Sequence, residues 1–101
     1  MDTNTLLTDV KARFAHNSAK AYLKEKYEAK LIVAYQGGLW KADTQTIGFL
    51  ASSISTKLVM IDTFNNPVKV NRKPLLELLE HTYSTVMNEW FNEWQELESK
   101  R

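Results

Sequence analysis

The stretch LIVAYQGGLWKAD, residues 31–43, decides the fold. Apolar residues ahead of it recur at helical spacing. Here a run of β-branched and aromatic side chains, Leu31 to Gln36, meets Gly37-Gly38 and then Leu39-Trp40-Lys41-Ala42. Two short runs around glycine predict a β-hairpin, because glycine accepts the positive φ that tight turns require. The functional alternative is a phosphate-cradling loop. That needs a longer glycine pattern opening a helix, and here Leu-Trp follows.

Upstream, residues 5–28 read as helix. Leu7, Val10 and Phe14 fall at helical spacing, and Tyr22, Leu23 and Tyr27 continue the apolar side less regularly. Thr3 and Thr5 are candidate N-caps. The polar triplet His16-Asn17-Ser18 interrupts the periodicity, which allows a kink or two helices with a fresh cap between them.

Downstream, Asp43 or Thr44 caps a short helix over Gln45–Ser53, with Ile47, Leu50 and Ile54 turned inward. Gly48 weakens it by about 1 kcal/mol relative to Ala. A second β pair follows, Lys57–Asp62 and Pro67–Val70, around a turn over Thr63–Asn66 that suits Asn65-Asn66. Pro67 sits at an edge or at a strand's first residue. Asn71 then caps a last helix with Pro74 in its first turn. Apolar residues run along that helix from Leu75 and Leu79 through Val86 to Leu97, about 26 residues or roughly 40 Å. The expected architecture is one α+β domain over residues 1–101, in the order α-ββ-α-ββ-α. A helical arm (1–30) and a long helix (71–101) flank a small antiparallel sheet. That sheet comes from two hairpins with a short helix between them (31–70).

Composition narrows the function classes. The chain has 101 residues, 44% hydrophobic and 25% charged, ordinary for a soluble globular protein. It has no cysteine, which excludes disulfides, zinc–thiolate sites and thiol nucleophiles. The opening MDTNTLLTDVKARF lacks the basic-then-apolar order of a secretory leader, and no run reaches the roughly 18 apolar residues of a membrane span. A soluble, cytosolic protein with no membrane partner is expected. The net charge of +1 hides an asymmetry. Residues 1–30 hold six Lys/Arg against four Asp/Glu, whereas residues 74–101 hold six Glu against Lys100 and Arg101. These parts either attract each other, within one molecule or between two, or are simply solvated helix faces.

The last helix carries two of the three Trp residues, with Phe91 between them. Met87, Trp90, Phe91, Trp94 and Leu97 span more than one narrow stripe, because Trp90 and Phe91 point about 100° apart. Such a cluster is either covered by the first helix, through Leu7, Val10 and Phe14, or it is a partner surface, since Trp, Phe and Met are enriched at interface cores. Both hold together if the cluster divides. At least one of Trp90, Phe91 and Trp94 is then inside the domain and at least one in an interface with a second chain.

Catalytic patterns are weak. Glu77, Glu80 and His81 form E-x-x-E-H, but a metal site needs three or four converging ligands, and the metallopeptidase motifs need a second nearby His. Ser52, Ser53 and Ser55 lack a glycine-flanked elbow. No metal, cofactor or enzymatic activity is expected. A nucleic-acid surface would draw on Lys11, Arg13, Lys20, Lys24, Lys26 and Lys30, with Tyr22 and Tyr27 for stacking. These lysines spread around the helix, and the pI near 8.0 is below that of a dedicated binder.

From Gly38 onward the layout has a Gly-aromatic hairpin, a short helix, and "IDTFNNPVKVNRKPLLELLEHTYSTVMNEWFNEWQE". In pattern it resembles a small uncharacterised domain of tailed bacteriophages, found in short phage proteins and near tail-fibre components. The resemblance implies a structural or virion-assembly role in the host cytoplasm or the virion, and brings no catalytic residues. The expected function is non-enzymatic: protein–protein interaction through the aromatic last helix, with a virion protein, a host protein or a second copy. The alternative is a phage-encoded regulator of a host protein or nucleic acid.

Overall fold

A computed structural model describes residues 3–100, with side chains from residue 6. The order is α1 (Thr3–Lys30), β1 (Ile32–Tyr35), β2 (Gly38–Lys41), α2 (Thr44–Ser52), β3 (Lys57–Ile61), β4 (Pro67–Asn71) and α3 (Arg72–Ser99). This is the α-ββ-α-ββ-α arrangement, with the strands forming two separate two-stranded antiparallel sheets.

The first hairpin pairs Tyr35 with Gly38, so its loop is Gln36-Gly37, one residue earlier than Gly-Gly. Both loop residues have positive φ, 51° at Gln36 and 79° at Gly37, the primed turn whose twist matches the strands. Gly38 serves a different purpose. A Cβ there would lie 2.5 Å from the ring of Trp40, so the buried indole needs that space. Trp40 Nε1 donates to the Tyr35 carbonyl at 2.7 Å, satisfying its polar atom.

In the second hairpin Asn65 takes φ 64°, as its turn-forming chemistry predicts. Asp62, at the turn's base, is buried. It accepts from the backbone N–H groups of Phe64 and Asn66, both at 3.0 Å, and of Leu39 at 3.3 Å. The Thr63 N–H donates to the Leu39 carbonyl at 2.9 Å. The Gln36 amide adds a second tie, accepting from Asn71 N at 2.6 Å and donating to Asn71 O at 3.1 Å. The two hairpins are thus joined by side chains and one backbone bond, without a shared ladder.

Asp43 is the cap of α2, accepting from Thr46 N at 2.8 Å. Asn71 holds the cap position of α3 but its side chain makes no cap bond. Ile47 and Leu50 face inward, whereas Ile54 falls in the loop after α2 and is 96% exposed. The helix ends at Ser52, so its periodicity does not reach Ile54. Helix α1 runs unbroken through His16-Asn17-Ser18 as one helix, with no fresh start there. The candidate caps Thr3 and Thr5 have side chains outside the described residues.

The core joins Leu23, Tyr27 and Leu31 of α1 to Trp40 and Leu50, and these to Val70, Leu75, Leu79 and Val86. The molecule is long, 66 × 24 × 19 Å, with a radius of gyration of 19.3 Å. A compact chain of this length would have about 13 Å. The excess comes from α1 and α3, which pack antiparallel and continue past the hairpins.

Candidate functional site

Four ion pairs among the described residues cross the α1–α3 seam and fix its direction. His16 and Lys20 meet Glu98 at 3.1 and 3.3 Å, Lys26 meets Glu93 at 2.7 Å, and Lys30 meets Glu89 at 3.5 Å. The basic first part and the acidic last part of the sequence therefore attract each other within one molecule. At the centre, Tyr27 is buried and stacks on Trp90 with centroids 6.1 Å apart. Its hydroxyl donates to Glu93, which also accepts from Lys26. These bonds hold the Glu93 carboxyl below the usual range. The same bond to Glu93 raises Lys26 and Tyr27. Burial pushes Glu98 up, and the hydrogen bonds and charges of Lys20 and His16 outweigh it, for a net lowering.

Around this seam the aromatic cluster divides. Trp90 is half-buried and packs against the core, and Leu97 does the same. Phe91 is 54% and Trp94 40% exposed, and their rings stack with centroids 6.0 Å apart. Trp94, one turn from Trp90, thus pairs with Phe91 on the outer flank instead of following Trp90 inward. Met87, Trp90, Phe91 and Trp94 line an apolar groove of about 260 Å³ on α3. Where α3 ends, a notch of about 370 Å³ opens between Leu97, Lys100 and the α1 residues Ala12, Arg13, His16 and Asn17.

The alternative, cover by the first helix, holds in part and through other residues than expected. Leu7, Val10 and Phe14 are exposed, and α1 meets the aromatic segment through Leu23 and Tyr27. The reason is register: with His16 opposite Glu98, Ala12 and Arg13 only border the last turn of α3 at Leu97 and Lys100, and Leu7 and Val10 fall past it. The candidate nucleic-acid contacts are also largely engaged, with Lys20, Lys26 and Lys30 in the seam. Lys24 is exposed and makes no ion pair among the described residues. Glu77, Glu80 and His81 are exposed on α3, and no cluster of three or more potential metal ligands forms among the described residues. No helix among them is long and apolar enough to cross a membrane.

Two tying residues had no clear signal in the sequence. Asp62 read as a strand end and Gln36 as a strand residue. The turn-rich TFNN after Asp62 is the one hint, since Asp side chains commonly bind the backbone of a following turn.

No family model, curated protein or solved structure matches the chain.

Proposed function

We propose that the protein is a non-enzymatic interaction module whose partner surface is the outer flank of α3. One observation carries this: Phe91 and Trp94 stack on each other in the open, beside Met87 and Trp90, in a groove that nothing else among the described residues lines. Two large aromatic rings held in fixed geometry cost little conformational entropy to bind, and they are typical anchors of interface cores. The layout resemblance points to a virion or assembly protein of a tailed phage as partner. Regulation through nucleic acid is the weaker reading, because Lys20, Lys26 and Lys30 are already paired with glutamates.

The test is a double variant, Phe91→Ser with Trp94→Ser, compared with the parent chain for incorporation into phage particles or their assembly intermediates. Loss of incorporation with the fold retained, and the melt lowered only slightly, supports the surface. Equal incorporation of both chains, or salt-sensitive retention of the parent on DNA, overturns it.

A further inference from the structure

Helix α3 stops at Ser99, beside His16, while α1 begins at Thr3. The first three to four turns of α1, about 20 Å, are therefore an arm that runs past α3, with Ala12 and Arg13 near its base bordering Leu97 and Lys100 across the notch. On that arm Leu6, Leu7, Val10 and Phe14 are 54%, 51%, 54% and 74% exposed. The α1 residues that meet α3 (His16, Lys20, Leu23 and Tyr27) lie on a face about 120° around the helix from the Leu6–Val10–Phe14 row. Lengthening α3 would not cover that row. A bare helix this short is marginal in water, and an exposed apolar row along it marks a contact surface.

The row has the symmetry of a self-contact. Leu6, Val10 and Phe14 are spaced four apart and centred on Val10. Two such arms laid antiparallel place Val10 against Val10 and, at each end, Leu6 beside Phe14 of the second copy. Asp9 and Arg13 lie on one flank of the row. A two-fold axis through the centre brings Asp9 of each copy to Arg13 of the other, and it does so twice. Within its own chain neither side chain has an ion pair among the described residues. A parallel two-fold pairing would instead put the Asp9–Arg13 flanks of the two copies on opposite edges of the contact, with no such match.

We propose that the amino-terminal arm of α1 is a homodimerisation element, pairing antiparallel with the same arm of a second copy across a two-fold axis at Val10. This surface is separate from the aromatic flank of α3 and does not depend on it. Two arms about 20 Å long and about 10 Å wide bury less than the roughly 1,200 Å² of a standing interface, so the dimer is weak and concentration-dependent.

Sedimentation equilibrium of the full chain, from micromolar to millimolar concentration, tests this. The expected result is an average mass that climbs from one chain towards two, and that stays at one for Val10→Glu. Asp9→Arg and Arg13→Asp should each weaken association about three- to tenfold. An equimolar mixture of these two variants should regain it, because each copy then meets opposite charges. The arm contributes nothing to the core, so unchanged melts are expected for all three. A wild type that remains monomeric throughout overturns the proposal. So does association that ignores the charge variants, or that is abolished by Phe91→Ser with Trp94→Ser and untouched by Val10→Glu.

Discussion

Tyr27 and Trp90 lie ring over ring, their planes 9° from parallel, at the point where α1 and α3 are tied by Glu93. The contact fixes which residues of the aromatic helix are structural. Trp90 belongs to the seam, and Phe91, its neighbour in sequence, belongs to the surface.

Trp90→Ala should therefore destabilise the fold by about 3 kcal/mol, the lower end for a large aromatic because Trp90 is only half-buried. Phe91→Ala and Trp94→Ala should each cost under about 1 kcal/mol, mainly through their mutual stacking. Urea melts of the three variants check the division. Equal losses at all three positions would mean that the outer flank is packed after all.

The three glycines should respond differently. Gly37→Val should cost more than about 1 kcal/mol, since a β-branched residue is strained at positive φ. Gly38→Ala should cost more still, by driving a methyl group into the Trp40 indole, and should shift Trp40 emission as the ring moves. Gly48→Ala, in α2 with nothing within 4 Å of the added Cβ, should stabilise by up to about 1 kcal/mol.

Stability should fall at both ends of the pH scale. Asp62 is lowered chiefly by the backbone N–H of Asn66, with Leu39 and Phe64 adding to it, and Glu93 is lowered by Lys26 and Tyr27. Their contribution is present above the unfolded carboxyl values and disappears as pH drops below about 4. Lys26 and Tyr27 are raised, so their contribution is present below about pH 10 and is lost as pH rises further. Thermal melts across pH should show a plateau with two shoulders. In Asp62→Asn the acid shoulder should shrink and the plateau should drop, because the amide can no longer satisfy all three donors.

Periodicity was enough to find every element, because the change from helical to strand spacing at Leu31 and the glycine and asparagine turns are local signals. Partners were harder. Leu7, Val10 and Phe14 make an apolar side that sequence can detect, but the register of α1 on α3 depends on where Lys20, Lys26 and Lys30 find Glu98, Glu93 and Glu89. That is a tertiary fact with no local trace. The aromatic cluster was legible as a group, yet its division depended on Tyr27 lying across the seam from Trp90. Asn71 shows the opposite limit: its residue type and position both fit a cap, and its backbone is held by Gln36 instead.

The three tryptophans sit in three different solvents, which makes the protein its own optical instrument. Trp40 is 2% exposed and its indole N–H is already taken, so it should emit to the blue and resist acrylamide. Trp94 should emit to the red and quench readily, while Trp90 falls between. A ligand that settles on α3 should remove the quenchable red component and leave the blue one alone. A mutation that loosens the hairpins should do the reverse. Wavelength alone then reports whether an event takes place at the surface or in the core, with no label attached.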